Sequence, residues 1–375
     1  MNIPVLDKEF TCHPTVCPVG HDYHIMLPVK SPMLLWVQVG EEKYYDESNG
    51  ILRSNVQIHR IIVPAEALDQ AKGYTLCYRK IIDRKPYFPE TEDEVQVFYQ
   101  FKPLTKTEDI HIYQLADTHG RVETPAAAAG YFGEDLDLLI LNGDIADHSG
   151  TVENICIAYQ IASRVTGGTL PCIFSRGNHD LRGACAENLA EYTPNENGNS
   201  YYTFRVGCIW GILLDCGEDK EDHLPNYGHT ICCHAFRQRE TRYLKKIIAN
   251  AEKEYAADDV TYRLTLSHVP FTYNLLSDDG IFNIEVELYT EWARLLKENV
   301  HPDLMLCGHL HKCAISPVGG EYDDKGQPCP VIIGSRPDFQ KETYIGTAVT
   351  LNKGQAIIAF TDQDKNVHGG DTLAL

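Results

Sequence analysis

The chain has 375 residues, 43% of them hydrophobic, and a formal net charge of −20. This length favours two domains over one, and the apolar content is sufficient for a sizeable core. The acidic excess repels nucleic-acid backbones and anionic membrane surfaces, so the composition disfavours nucleic acid as a partner.

The first hundred residues are predicted to form a small all-β domain. Alternating apolar runs predict strands at 33–39, 56–63, 74–79 and 95–101, with turn-rich segments between them. Short strands at this spacing are typical of an antiparallel sandwich of immunoglobulin or fibronectin type. We assign residues 1–105 to this accessory domain.

Residues 106–375 show the alternation of strands and helices that indicates an α/β domain. Apolar runs predict strands at 110–115, 136–141, 171–175, 209–214, 263–266 and 304–307. Apolar stripes at helical spacing predict helices at 152–165, 235–255 and 285–298. The pattern returns to strands at 331–333, 344–351 and 356–360.

The cysteines and the first residues bear on the cellular compartment. The chain has 13 cysteines at irregular spacing, which argues against a disulfide framework. Residues 1–14 lack the basic start and apolar run of a secretory signal, and no segment resembles a membrane span. We therefore expect a reduced, cytoplasmic protein.

Five polar motifs directly follow predicted strands. They are Asp117-Thr118-His119, Gly143 to Asp147, Gly177-Asn178-His179-Asp180, Ser267-His268, and Gly308-His309-Leu310-His311. Because loops at the carboxyl ends of strands collect at one edge of an α/β sheet, we expect these motifs to converge. Their carboxylates and imidazoles suit Zn, Fe and Mn better than Mg or Ca. The motifs hold no thiolate, so they do not indicate a structural zinc site.

Each motif alone has an ordinary structural explanation. Gly-Asp is usually a turn, and Gly-Asn-His-Asp can cap a helix. Their conjunction in this order and context favours a functional site. His229 and His234 raise the alternative of an additional metal site, but a pocket rim with buried cysteines is the favoured interpretation of that segment.

The order of the motifs resembles the calcineurin-like metallophosphoesterase superfamily over about residues 110–360. The resemblance implies an αββα sandwich, in which helices flank two mixed sheets, and two metal ions about 3.5–4 Å apart. We expect these ions to be Mn, Fe or Zn. The resemblance assigns one ion to Asp117, His119, Asp144 and His311. It assigns the other to Asp144, Asn178, His268 and His309, so that Asp144 bridges the pair.

The predicted N-terminal sandwich is similar to the arrangement in purple acid phosphatases. Asp147 stands where their tyrosinate ligand would stand, and His119 occupies a position that holds no ligand in them. The resemblance is therefore to a non-purple member. We expect Asp147 and His148 to hydrogen-bond the ligands rather than bind metal.

The expected reaction is hydrolysis of a phosphate mono- or diester of a small molecule by a hydroxide that bridges the two metals. We expect His179 to be the general acid and Asp180 to orient its ring. Arg176 lies in a run similar to that of protein serine/threonine phosphatases. Contact with the substrate phosphate and a simple salt bridge are equally good interpretations of Arg176.

The walls of the pocket are predicted in the irregular segments 182–202 and 217–234, with a further turn at 278–280. A rival hypothesis is a non-catalytic binding or scaffold protein on the same fold. Lost ligands would mark such a protein, and none is missing here. The N-terminal domain could also pair two copies into an oligomer.

Overall fold

The computed structural model describes residues 3–274 and 280–375, and these residues form 23 strands and six α-helices. The predicted turn residues Asp278 and Asp279 lie outside the described residues. The first ten strands are β1 (Thr15–Val19), β2 (Asp22–Pro28), β3 (Met33–Val39), β4 (Glu42–Tyr45), β5 (Glu47–Ser48), β6 (Ile51–Leu52), β7 (Ile58–Pro64), β8 (Gly73–Asp83), β9 (Glu90–Thr91) and β10 (Val95–Gln100).

The remaining elements belong to the second part of the chain, except for the first helix. The strands are β11 (Ile110–Leu115), β12 (Leu138–Asn142), β13 (Cys172–Ser175), β14 (Thr203–Val206), β15 (Ile209–Leu213), β16 (Tyr262–Leu266), β17 (Leu304–Cys307), β18 (Cys313–Ser316), β19 (Val331–Gly334), β20 (Arg336–Asp338), β21 (Thr343–Asn352), β22 (Gln355–Asp362) and β23 (Val367–Ala374). The helices are α1 (Ala65–Ala71), α2 (Glu123–Ala129), α3 (Val152–Thr166), α4 (Leu189–Tyr192), α5 (Cys233–Ala249) and α6 (Val286–Leu295).

The N-terminal strands form the all-β region that the alternating apolar runs predict. One antiparallel sheet has the order β1-β2-β7, and the other has the order β10-β8-β3-β4 with β9 paired to β8. Their core contains residues from both sheets, among them Tyr23, Ile25, Leu35, Val37 and Leu76. The boundary at residue 105 stays a prediction.

Strands β1 and β2 were not predicted from the sequence, and their burial explains why. Nearly every residue in them is buried, so they lack the alternation that marks a strand with one wet face. One face covers the N-terminal core, and the other packs on the second part of the chain. Cys17, Met26 and Ile58 there join Ile155 and Tyr159 of α3 in one apolar cluster.

The second part of the chain is an αββα sandwich, as the resemblance implies. A seven-stranded sheet has the order β13-β12-β11-β21-β22-β23 with β20 on β21, and a six-stranded sheet has the order β14-β15-β16-β17-β19-β18. The main core lies between the sheets, while α2 and α3 cover the first sheet and α5 and α6 cover the second. Leu138 and Ile140 of β12 face the main core, and Leu139 and Leu141 face the helices.

The parallel strands set the position of the functional loops. Strands β11, β12 and β13 are mutually parallel neighbours, as are β15, β16, β17 and β19. Each predicted motif follows the carboxyl end of β11, β12, β13, β16 or β17. The two sheets therefore bring five loops to one place.

The helix ends differ from the predicted ones. Helix α5 ends at Ala249 rather than continuing to 255, because residues 251–253 form a separate 3₁₀ turn. Helix α6 ends at Leu295 and continues into a π-helical turn, Leu296–Val300. No helix in the described part of the chain combines the length and apolarity that a bilayer crossing requires.

We expect Met26→Ala to destabilise the protein by about 2–5 kcal/mol, because Met26 is fully buried in the cluster between the N-terminal sheet and α3. Ile62→Ala on the neighbouring strand is the control, since Ile62 is 48% exposed, and should cost less than about 1 kcal/mol. Urea unfolding measures both variants. Equal losses would show that this cluster does not stabilise the fold.

Candidate metal centre

The structure brings together the side chains of all five predicted motifs. Asp117, His119 and His311 form one group whose ligand atoms lie within 4.8 Å of one another, and Asp144, His268 and His309 form a second such group. The side-chain amide of Asn178 approaches Nδ1 of His309 to 3.0 Å, which places it beside the second group. Six of the seven predicted ligands thus lie in two groups, and a third group of the same kind joins His119 to Asp147 and His179.

Several nitrogen atoms in these groups are placed as if to share a cation. Nε2 of His119 and Nε2 of His311 lie 3.0 Å apart, and Nε2 of His268 lies 3.2 Å from Oδ2 of Asp144. These separations suit neighbouring ligands of one ion at metal–nitrogen distances of about 2.0–2.1 Å. Nε2 of His268 is buried and has no hydrogen bond of good geometry with any described residue. A metal ion would satisfy this atom, so the residues present fit the expected group.

The same strained backbone conformation occurs at several of the predicted ligands. Five of the seven predicted ligands have positive φ, namely Asp117, His119, Asp144, His309 and His311. Non-glycine residues rarely adopt this conformation, and strain of this kind concentrates at functional sites. The left-handed turns direct the side chains into the space between the strand ends.

Glycine permits the close approach of two of these loops. A Cβ atom on Gly177 would lie 2.2 Å from Oδ1 of Asp144 and 2.4 Å from its backbone nitrogen. Only glycine therefore allows the loop of Asn178 to lie directly against the loop of Asp144.

A shell of hydrogen bonds orients the ligands. Nδ1 of His268 donates to the carbonyl oxygen of Asn142 at 2.7 Å, which directs Nε2 toward the carboxylates. Asp117 accepts the N–H of His309 at 2.9 Å and also accepts the hydroxyl of Ser335. Nδ1 of His119 lies 3.2 Å from Oδ1 of Asp147.

Asp147 and His148, both predicted to hydrogen-bond the ligands, have different hydrogen-bond partners. Asp147 contacts the predicted ligand His119, as expected of a residue that supports a ligand. The imidazole of His148 accepts the N–H of Gly150 within its own exposed loop, so it supports the turn and not a ligand.

The two buried carboxylates create a strongly negative site. Burial alone would raise the pKa of Asp144, but the neighbouring His268 holds the pKa of this carboxyl well below its usual value. Burial disfavours the charged form of His268, yet Asp144 and Asp117 raise its pKa to about 10. A site that favours a positive charge this strongly is suited to cations.

The pKa values of His309 and Asp180 are shifted toward the neutral forms of both groups. Burial, and then the neighbouring His268, lower the pKa of His309 to about 4, which keeps this ring neutral as a metal ligand requires. Burial and the Asp144 carboxylate raise the pKa of Asp180 to about 7.

Asp180 does not orient the ring of His179. Its Oδ2 accepts the backbone N–H of Gly177 at 2.8 Å and that of Asp144 at 3.3 Å. The 3₁₀ turn His179–Leu181 directs the carboxylate inward, where it ties together the loops that carry Asn178 and Asp144.

The His179 ring lies 4.7 Å from that of His119 in the first group, and its Nε2 is 3.9 Å from Oδ2 of Asp144 in the second. Two further partners hold it. Its Nδ1 is 2.8 Å from the carbonyl oxygen of Asp147, and its Nε2 is 2.8 Å from Nη1 of Arg182. A carbonyl only accepts and a guanidinium only donates, so Nδ1 carries the proton and Nε2 accepts.

Arg176 forms the salt bridge that was one of its two interpretations. Its Nε donates to Oδ2 of Asp215 at 2.6 Å, and the guanidinium lies over the ring of Phe236. Asp215 is buried, so this pair holds the loop that begins there.

Arg182 is a site residue that the sequence motifs did not single out. It makes a bidentate pair with Glu218 at 2.8 and 2.9 Å and reaches His179 with its remaining nitrogen. Arg182 lies two residues beyond the Gly177–Asp180 motif, and its position there was the available signal. It lines a cleft of about 1160 Å³ together with Arg176 and residues from 181–187 and 218–239.

The segments predicted as pocket walls thus do line the cleft in part. The alternative of a metal site near His234 gains no support. Nδ1 of His234 pairs with Glu285 at 2.9 Å. Neither His229 nor His234 joins a group of ligating side chains within 3–274 and 280–375.

The fold and the site together define a metal-dependent hydrolase built on an αββα sandwich. The family model for calcineurin-like phosphoesterases matches residues 110–313, which is more than half of the chain. The chain therefore belongs to the calcineurin-like phosphoesterase family, and it is a metal-dependent phosphoesterase.

Solved structures show the same fold. A purple acid phosphatase, PPD1, from yellow lupin (Lupinus luteus) seeds aligns with 97% of this chain and 74% of its own at 12% identity and a TM-score of 0.59. PhoD aligns with 99% of this chain and 90% of its own at 11% identity and a TM-score of 0.56. A comparison with curated protein sequences found no significant match.

Proposed function

We propose that this protein hydrolyses phosphate esters of small molecules with two metal ions. The observation that carries the proposal is the pair of adjacent ligand groups, one around Asp117 and one around Asp144. Both carboxylates are almost fully buried, and they face His268 of the second group and His311 of the first. Mn, Fe or Zn suits this mixture of oxygen and nitrogen donors.

The proposal assigns Asp117, His119, Asp144 and His311 to one ion and Asp144, Asn178, His268 and His309 to the other. The position of Asp144 supports its role as the shared ligand. Its Oδ2 is 3.2 Å from His268 of the second group. Burial lowers the pKa of His119 in the first group, and the charge of Asp144 acts against this lowering. When bound, two such ions supply an activated water and neutralise charge on the phosphate.

Among the groups of this chain, Arg182 is best placed to contact the substrate phosphate. Its guanidinium lies between His179 and the cleft, and 37% of its side chain is exposed. Glu218 engages Nε and Nη2 of Arg182, so Nη1, which now contacts His179, is the nitrogen that can turn to a phosphate oxygen. The side chain of Arg176 is only 15% exposed and is paired with the buried Asp215.

His179 is proposed as the proton donor to the leaving oxygen. In the structure its Nε2 accepts from Arg182, so it carries no proton there. If Arg182 turns onto the phosphate of a bound substrate, Nε2 becomes free to hold a proton and to deliver it. Arg182 would then couple substrate binding to the acid role of His179.

The cleft beside Arg182 supports a small organic phosphate as the substrate. It has a volume of about 1160 Å³ and is lined by both polar and apolar side chains. The convergence of carboxylates and imidazoles in groups that could hold metal ions argues against the scaffold hypothesis.

Asp144→Asn should lose bound metal and lower the hydrolysis of p-nitrophenyl phosphate by at least about 100-fold, because one carboxylate serves both ions. Metal analysis of the wild type should give two ions per chain, and the variant should hold fewer than one. Asp258→Asn, which changes an exposed carboxylate, is the control. A variant that loses a single ion would contradict the bridging role.

His179→Ala should keep both metals and lower the turnover of an alkyl phosphate by about 10²–10⁴-fold. The loss for p-nitrophenyl phosphate should be much smaller, since nitrophenolate leaves without a proton donor. Steady-state kinetics on both esters, with metal analysis, make the comparison. Equal losses on the two esters would exclude the acid role.

Arg182→Gln should lower kcat/KM by about 10- to 100-fold, mainly through KM, because a charged hydrogen bond to the phosphate is lost. Arg176→Gln should keep kcat/KM within about threefold of the wild type and lower the thermal stability, since it leaves the buried Asp215 unpaired. A large loss of kcat/KM in Arg176→Gln and a small one in Arg182→Gln would indicate that Arg176 contacts the phosphate.

A further inference from the structure

We propose that Phe339 is a stacking platform, which selects phosphate esters whose organic group carries an aromatic or heteroaromatic ring. The proposal deepens the proposed function and rests on it, because it concerns the substrate of the same site. It begins from a side chain that neither the motifs nor the fold explains.

Phe339 lies at the mouth of the metal centre. Its ring centroid is 5.7 Å from that of His119 and 6.1 Å from that of His311, and both histidines are proposed ligands of the same ion. The side chain of His311 is 40% exposed, so this side of the centre is open to solvent. The organic group of an ester bound here would lie next to the Phe339 ring.

Phe339 is also 54% exposed, although burial of a Phe side chain is favourable. Single exposed apolar residues are common on protein surfaces. This one differs because it stands among charged and polar ligands, where an apolar surface contributes nothing to metal binding. A ring that covers it would remove its exposed face from water.

The ring is held in place before any ligand arrives. The guanidinium of Arg121 lies 4.6 Å from its centroid, in a cation–π contact. Arg121 in turn donates to the carbonyl oxygens of Thr118 and Thr343 at 3.3 and 3.2 Å. Thr118 lies between the proposed ligands Asp117 and His119, so Arg121 joins the metal-binding loop to the loop of Phe339.

The turn that carries Phe339 is fixed as well. Oδ1 of Asp338 accepts the backbone N–H groups of Gln340 and Lys341 at 3.0 and 3.1 Å. A group held in its binding position loses little conformational freedom when a ligand binds. Aromatic rings pair at centroid separations of about 4.5–7 Å, and a second ring can do so here because the Phe339 ring is only partly covered.

The test compares benzyl phosphate with cyclohexylmethyl phosphate. The two esters have leaving alcohols of similar basicity and organic groups of similar size, so they differ mainly in the planar ring. The wild type should favour benzyl phosphate by about threefold to tenfold in kcat/KM, which corresponds to the usual strength of an aromatic pair. Phe339→Leu should remove this preference and keep cyclohexylmethyl phosphate within about twofold of the wild type.

Phe88→Leu is the matched control, because Phe88 is 82% exposed on the N-terminal region, and it should change neither rate. A preference that survives in Phe339→Leu overturns the proposal. Loss of bound metal in that variant also overturns it, since Phe339 would then support the ligands.

Binding of benzylphosphonate and cyclohexylmethylphosphonate to the metal-loaded protein separates this proposal from the proposed function. Neither compound can be hydrolysed, and titration calorimetry measures both. In one outcome, the wild type binds benzylphosphonate preferentially, Phe339→Leu loses this preference, and no ester is hydrolysed. That result would refute the proposed hydrolysis but support Phe339 as a stacking platform. Equal affinities in the wild type would refute the platform, whatever the turnover.

Discussion

The structure depends on the burial of two carboxylates, Asp117 and Asp144, where two sheets meet. Buried charges are costly unless they are paired. Imidazoles and backbone N–H groups surround the two carboxylates and stabilise their charge. The resulting site attracts cations. The strained turns at five ligands, and the glycine contact beneath Asp144, are consequences of bringing these groups so close together.

Around this centre, some loops position the candidate ligands, and others line the open side where a substrate would bind. Asp180 ties two metal-binding loops together from below, and Asn142 and Asp147 orient the histidines. On the open side, Arg182 faces a cleft and Phe339 faces solvent. Arg182 contacts His179 and Phe339 contacts His119, and these two imidazoles lie 4.7 Å apart, so the proposed phosphate contact and the proposed ring platform belong to the same centre.

The N-terminal sheets are joined to the metallophosphoesterase sandwich by a buried apolar cluster, and not only by the connecting chain. Strand β1 also makes bridges to Pro171 and, through Gly20 beyond its end, to Phe204. Arg60 of β7 donates to the carbonyl oxygens of Ala190 and Thr193. These contacts explain why β1 and β2 are buried on both faces.

The sequence alone determined the fold class and indicated the candidate ligands. Strands such as β3, β11 and β17 were predictable to the residue, because local apolar patterns report burial directly. The motifs indicated the candidate metal ligands because each follows a strand end, and strand ends converge in this fold. What only the tertiary structure decided concerns contacts between distant segments. Asp215 pairs with Arg176, Glu218 directs Arg182, and Arg121 places Phe339 beside His119, although 218 positions separate Arg121 from Phe339 in the sequence. No local pattern encodes such pairs, because they arise from loops whose relative positions depend on the packing of the whole sandwich.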